Sequence, residues 1–347
     1  MTDGVSTGLR NPAVAEKSRT GALIRIASRL SNVLGPLIGL AFVIGLFCTS
    51  SEVRPYFLTG GNFKIIFTQS VIVSIAALGM TMIIISGGID LSAGAAIALT
   101  SVIGAIVLAY NGGSIAAVGA AVVIGGLVGL LNGAVISGFK MMPFIVTLGT
   151  MGIARGVALW ISGSQTVAVP DTWVNKLMEQ QVPDELFPLP NGVWVTLAMA
   201  VVVAIVMRES VFGRYIFAMG GNEVAARLSG VRVGFHKTCV YAFAGMLFGL
   251  AGVMQLSRLT QGDPSTANGL ELDIIAAVVI GGASLNGGVG SIPGSLIGAL
   301  IMAVLRNGSS QMGWPTYVQQ IIIGAVIIVA VGLDKLRRGR AARHLSP

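Results

Sequence analysis

Apolar residues run along this chain in long blocks separated by short polar breaks. A helix that crosses a bilayer needs about 20 such residues. Ten blocks approach that length: 31–49, 64–86, 93–110, 115–138, 143–163, 192–207, 237–257, 271–284, 291–308 and 315–332. The pattern predicts an all-α polytopic membrane protein of about ten transmembrane helices. The blocks near 93–110 and 271–284 are short or interrupted by glycine. No small-x-small cleavage site follows the first block and nine more blocks do, so it reads as a retained span rather than a signal peptide.

The blocks divide the chain into an N-terminal tail (1–30), an embedded body (31–332) and a basic C-terminal tail (333–347). Within the body, 164–191 is the longest outer loop. It carries Pro170, Pro183, Pro188 and Pro190, and a short amphipathic helix is expected near Trp173–Gln180. The longest inner loop is 208–236. No separate soluble domain and no GxxxxGK[ST] nucleotide loop is present.

Composition agrees. Of 347 residues, 54% are hydrophobic and 10% charged, where a soluble domain carries about a quarter charged. Mean hydropathy is +0.84. The 48 glycines suit helices whose backbones approach closely. A net charge of +8 could suggest nucleic acid. The basic residues sit on the tails and in one loop, however, so the charge reads as orientation bias and no nucleic-acid partner is expected.

Arg10, Lys17, Arg19, Arg25 and Arg29 precede the first block, and Lys335, Arg337, Arg338, Arg340 and Arg343 follow the last. With ten spans, both tails share a side with Lys140 and with Arg208, Arg214, Arg227, Arg232 and Lys237. Asp171, Glu179, Asp184, Glu185, Asp263 and Glu271 fall opposite. Both termini are therefore expected in the cytoplasm. Tyr56, Tyr110, Trp160, Trp194, Trp314 and Tyr317 cluster near outer span ends, as an interfacial belt does. Cys48 and Cys239 fall near opposite faces, so no disulfide is expected, and no metal-ligand spacing or cofactor motif occurs.

A weak internal repeat is visible. Gly87-Gly88-Ile89-Asp90-Leu91-Ser92-Ala93-Gly94 and Gly281-Gly282-Ala283-Ser284-Leu285-Asn286-Gly287-Gly288 both read G-G-x-x-L-x-x-G. Asn132-Gly133 and Asn307-Gly308 follow, then Pro143 and Pro315. Interrupted apolar segments at matching places in two halves point to a transport pathway, because freed backbone groups are tolerated only under protein or beside water. Tight helix packing is the other reading. Asp90 either serves such a pathway or caps the next helix, with Ser92 competing for the cap. Arg155 and Arg306 are each expected to snorkel or pair, and Arg155 alternatively to meet a polar solute or a distant carboxylate.

An intramembrane protease is excluded. Gly88-Ile89-Asp90 lacks the second glycine of Gly-x-Gly-Asp, Asp273 falls at the opposite end from Asp90, and His236 and His344 are placed in the cytoplasm. In the inner loop, Asn222 suits an N-cap, Glu223 a helix start and Gly230 a stop. Val224 and Leu228 form an apolar stripe. Two turns are marginal alone, so a partner groove is expected to order them.

Gly79-Met80-Thr81 through Ser86-Gly87-Gly88-Ile89-Asp90-Leu91-Ser92, Pro143 to Thr150, Gly220 to Gly230 and Ala276 to Gly288 together resemble the ribose/xylose-type permease family of bacterial ATP-binding-cassette importers. The resemblance spans about residues 60–332. It implies a multi-pass protein of the bacterial inner (plasma) membrane, dimeric with a second copy or paralogue. A cytoplasmic ATPase subunit would dock on each inner loop and a periplasmic or extracellular sugar-binding protein outside. Residues 222–230 would then be the coupling helix, with Asn222, Glu223, Ala225, Ala226, Arg227, Leu228 and Gly230 facing or shaping the contact. Ala225, Ala226 and Gly230 match the wider Glu-Ala-Ala-x-x-x-Gly pattern, while Val224 intervenes after Glu223. The permease would not be an enzyme and would need no cofactor or metal. The expected pathway residues are Gly87, Gly88, Asp90, Ser92, Gly281, Gly282, Ser284 and Asn286. The solute would be a pentose or hexose such as ribose or xylose. Alternatives are a related permease for nucleosides or a furanose signal, and a self-sufficient secondary transporter.

Overall fold

A computed structural model describes residues 34–179 and 189–343. The N-terminal tail with its five basic residues, and Pro183, Asp184, Glu185, Pro188 and His344, lie outside the described residues, as do the side chains of the basic C-terminal tail.

Every one of the ten apolar blocks contains a helix. They are α1 (Leu34–Cys48), α3 (Gly60–Ile85), α4 (Ala93–Ala109), α5 (Ser114–Phe139), α6 (Pro143–Ile161), α7 (Asn191–Glu209), α10 (Val233–Leu259), α11 (Leu270–Ile280), α12 (Ile292–Gln311) and α13 (Thr316–Arg343). Short helices α2 (Arg54–Phe57), α8 (Val211–Gly221) and α9 (Glu223–Leu228) link them. Among the described residues, α3, α5, α6, α7, α10 and α12 are long and apolar enough to cross a membrane. The apolar helices α1, α4 and Thr316–Val329 are shorter. α11 has 11 residues, about 16 Å at 1.5 Å per residue, half of a hydrocarbon core. The tenfold expectation thus resolves into six clear spans, with α1, α4 and α11 shorter and α13 apolar only over Thr316–Val329. α13 also runs as far as Arg343, into the region read as tail.

Burial sorts the helices by role. α3 is the axis: every residue from Ser70 to Ser86 is buried, the all-round pattern of a helix enclosed by others. α5, α6 and α7 bury one side and expose Leu131, Ile153 and Ile205 on the other, the apolar surface a lipid environment requires. α5 and α10 pack most closely. Gly125, Gly129 and Gly133, four apart on α5, lie against Tyr241, Gly245 and Gly249, four apart on α10. A Cβ on Gly129 would overlap the Tyr241 carbonyl, so two backbones touch where glycine removes the side chains between them.

The bundle has two distinct ends. One carries α8, α9, the α5–α6 turn and both Gly-Gly turns. The other joins its loops through a two-residue antiparallel pair, β1 (Val167–Ala168) and β2 (Gln261–Gly262). Tyr56, Tyr110, Trp160, Trp194 and Tyr317 are exposed near this second end. The helix expected near Trp173–Gln180 is only a single 3₁₀ turn, Asn175–Met178. Its backbone finds a tertiary partner instead: Met178 N–H donates to Ser257 Oγ at 3.0 Å, and that hydroxyl donates to the Asn175 carbonyl at 3.1 Å. Both cysteines are free thiols. Among the described residues no cluster of His, Cys, Asp or Glu is arranged for a metal.

Candidate functional site: the α8–α9 end

α9 is built as a closed unit. Asn222 is extended and its Oδ1 accepts the Ala225 N–H at 2.9 Å, capping the helix start. Gly230 sits at φ +87°, where an L side chain is strained. The Gly230 N–H donates to the Arg227 carbonyl and the Val231 N–H to the Ala226 carbonyl, both at 3.1 Å, closing the helix end. The cap and stop expected at Asn222 and Gly230 are thus present.

Glu223 braces the unit from both sides. It pairs with Arg227 one turn on at 2.9 Å and with Lys237 of α10 at 2.6 Å. The hydrogen bond from Lys237 holds the Glu223 carboxyl below the ordinary glutamate range, helped by the charges of Lys237 and Arg227 and opposed by partial burial. Ala226 turns inward against Met219, Val231 and Val233. Val224 and Leu228 turn outward, 69% and 84% exposed. A groove of about 410 Å³ runs beside the helix between Lys140, Met141 and Pro143 on one wall and Arg227, Gly234 and Lys237 on the other.

The pathway candidates lie at this same end. Gly87 (φ +84°) ends α3 and Gly282 (φ +92°) ends α11. The two closures match bond for bond: Gly87 N–H to Ile84 carbonyl and Gly88 N–H to Ile83 carbonyl, against Gly282 N–H to Val279 carbonyl and Ala283 N–H to Val278 carbonyl. Both Gly-Gly segments are helix-ending turns. Their structural register is Gly87 with Gly282, one residue away from the alignment that pairs Gly87 with Gly281. The two Asn-Gly pairs do not correspond. Asn132 reaches the Asp90 turn, whereas Asn307 bonds Gln311 toward the other end.

Asp90 and Ser92 are fully enclosed. Asp90 Oδ1 accepts the Ser92 N–H at 2.8 Å and the Ser92 hydroxyl at 2.6 Å. Asn132 Nδ2 donates to Ser92 Oγ at 3.0 Å, and Thr150 donates to Asn132 Oδ1 at 2.6 Å. Asp90 therefore ties the α3–α4 turn to α5 and α6. Ser92, at the N-cap position, makes no side-chain cap bond. Asn132 and Thr150 completed a network that was not expected; the available signal was an Asn inside an apolar block. On the other turn, Ser284 is buried and Asn286 exposed. The Asn286 N–H donates to Ser284 Oγ at 3.3 Å.

The α8–α9 end meets both turns at Gly220. A Cβ there would overlap the Ile85 carbonyl oxygen, and Gly287 lies against both Gly220 and Gly87. The Gly288 N–H donates to that same Ile85 carbonyl at 2.8 Å. Arg155, by contrast, is structural. It donates to the carbonyls of Pro264 and Thr266 at 2.7 and 2.6 Å, pinning a loop at the opposite end. Arg306 pairs with the buried Asp273.

The described residues thus form a helical bundle with apolar outer faces, in which α8 rests on two helix-ending turns and carries the small exposed α9 beside it. The family model described as branched-chain amino acid transport system / permease component matches residues 62–331, and the chain belongs to that permease family. It is 37% identical over 302 residues to the ribose import permease protein RbsC of Escherichia coli (strain K12), covering 87% of this chain and 93% of the relative. To RbsC of Bacillus subtilis (strain 168) it is 39% identical over 303 residues, 87% and 92% of the two chains. To the L-arabinose ABC transporter permease protein AraH of Azospirillum brasilense it is 34% identical over 336 residues, 94% of each. No solved structure matches significantly. The chain is a transport permease subunit of the sugar ABC-importer kind and not an enzyme.

Proposed function

We propose that this chain carries a monosaccharide, a pentose or hexose, inward across the bacterial inner membrane by alternating access, driven by a separate ATPase subunit. α9 carries the reading. It is closed at both ends by Asn222 and Gly230, it shows Val224 and Leu228 to the outside, and the adjoining α8 abuts both helix-ending turns at Gly220. Such a helix suits a groove on a cytoplasmic ATPase. Closure of the ATPases on ATP would drag α9 and shift the ends of α3 and α11. A sugar-binding protein would deliver solute at the opposite end, and a second copy or paralogue would complete the pore.

The topology follows from the same placement. Residues 31–332 form the embedded body, with ten crossings completed by α1, α4, α11 and α13. Both termini then share the α9 side with Lys140, Arg208, Arg214, Arg232 and Lys237, and the positive-inside bias makes that side cytoplasmic. Of the repeat, we retain only the matched closures at Gly87 and Gly282.

The names of the relatives favour sugars: ribose, L-arabinose and, at 36% identity, D-allose for AlsC of Escherichia coli (strain K12). They speak for a pentose or hexose over a nucleoside or furanose signal, and over the amino acids named by the family description. A self-sufficient secondary transporter needs free carboxylates within the bundle. Asp90 is consumed by Ser92 and Asn132, and Asp273 by Arg306.

The test is reconstitution in proteoliposomes with the ATPase and binding protein, offering labelled ribose, L-arabinose and D-allose. ATP-dependent uptake of one of them, abolished when the ATPase is left out, is expected. Uptake that continues without the ATPase, or of none of the three, refutes the reading.

A further inference from the structure

The end of the bundle remote from α9 holds a cavity of about 380 Å³, within the roughly 300–1,000 Å³ of small-molecule sites. It opens between α3, α10, α12, α13 and the loop at 266–270. Its wall is held in place. Arg155 pins the Thr266 carbonyl at 2.6 Å, and the Gln255 amide donates to the Thr266 hydroxyl.

Two arginines project into this space. Arg306 is neutralised by Asp273, which is itself buried. Arg258 is exposed within the cavity and, among the described residues, has no ion pair and no hydrogen bond. Its planar guanidinium has its donors free. Gln69 of α3 lines the same cavity, and its side-chain oxygen is buried without a partner. The terminal torsion of a glutamine is soft, so a small rotation presents that oxygen to the cavity. Ile72, Val73, Leu270 and Met302 supply an apolar wall.

The lining therefore offers unused donors, one unused acceptor and an apolar strip. An anion accepts hydrogen bonds only and would leave the Gln69 oxygen without a donor. Adjacent hydroxyls on a ring both accept and donate, and the C–H face of the ring suits the apolar wall.

We infer that this cavity is a solute site of the permease itself, taking an uncharged polyhydroxylated ring of monosaccharide size, with Arg258 donating to and Gln69 accepting from neighbouring hydroxyls. The inference rests on the transport reading above. It sets a first station for the solute at the end opposite the Gly87–Ser92 turn.

The experiment uses the complete transporter in proteoliposomes. Asn268→Cys, on the cavity wall, is introduced with Cys48→Ala and Cys239→Ala and labelled from outside with a membrane-impermeant maleimide. Ribose, L-arabinose and D-allose serve as protecting probes, with inorganic phosphate as the anionic control. At least one sugar is expected to slow labelling severalfold, with phosphate inert. Arg258→Gln and Gln69→Leu, each added separately, are expected to raise the protecting concentration at least tenfold. No labelling at all, labelling unaffected by any sugar while uptake proceeds, protection by phosphate alone, or full protection in both variants would overturn the inference. Loss of uptake by the unmodified transporter would instead refute the proposed function, so the two failures are distinct.

Discussion

The α carbon of Gly220 rests on the main-chain carbonyl of Ile85, with no room for a methyl group between them. This places the entry to α9 in backbone contact with the last residue of α3, the buried axis of the bundle. Gly288 N–H shares the same carbonyl at 2.8 Å, so the turn after α11 is fastened to the same point. A displacement of α9 reaches both helix ends through main chain, which cannot relax by changing rotamer.

Gly220→Ala is accordingly expected to abolish uptake by at least tenfold. Overpacking of this kind costs about 1–3 kcal/mol, so the transporter is expected to assemble with a lowered melting temperature in detergent. Normal uptake by this variant would show that the contact transmits nothing.

Leu228→Glu and Val224→Asp test the outward face of α9. Both side chains are exposed, so the folded chain is expected to change by no more than about 0.5 kcal/mol. Co-purification of the ATPase with the tagged permease is expected to be lost. Retention of the ATPase by the double variant would remove α9 from the docking surface.

Glu223 makes a pH-dependent brace. Lys237 lowers its pKa in the folded chain, so the brace contributes above the ordinary glutamate value, about 4.3, and is lost as pH falls through the folded value. The Glu223 side chain is 40% exposed, and solvent screening limits the pair to about 0.2–1 kcal/mol. The protection of α9 amides, taken relative to the intrinsic exchange rate at each pH, is expected to fall on acidification in the native chain. In Glu223→Gln the protection is expected to start lower and show no such dependence. Identical profiles would show that the carboxylate does not order the helix.

The Arg306–Asp273 pair is asymmetric. Asp273 is 1% exposed, while the Arg306 side chain is 41% exposed at the cavity. Arg306→Met leaves a carboxylate buried without a partner, and the loss is expected to be about 3–5 kcal/mol. Asp273→Asn leaves an arginine that water can reach, and a smaller loss is expected. Thermal unfolding in detergent compares them, and an equal or reversed order would contradict the geometry.

Much of the secondary structure was legible because the bilayer imposes a length rule on apolar runs. The ten blocks returned as ten helices, and the start and stop of α9 lay in Asn222 and Gly230, whose side-chain and backbone preferences act within three or four residues. The apparent repeat misled by one position. Paired glycines look alike in one dimension, and only φ tells which of each pair turns the chain, Gly87 in one and Gly282 in the other.

Local chemistry in the chain thus determined which segments are helices, where α9 begins and ends, and that the faces of the bundle are apolar. Contacts between residues far apart in sequence lay beyond that reach. They determined that Asp90 meets Asn132 of α5, which Thr150 of α6 holds in turn, and that Arg155 pins the loop at Thr266. They also seated Gly220 against Ile85, and set Arg258 and Gln69 around one cavity. Such pairings depend on how close two helix backbones come. That distance is set by the steric fit of α5 on α10 and of α7, α10, α11 and α12 around α3, a property of the packed bundle that no single segment contains.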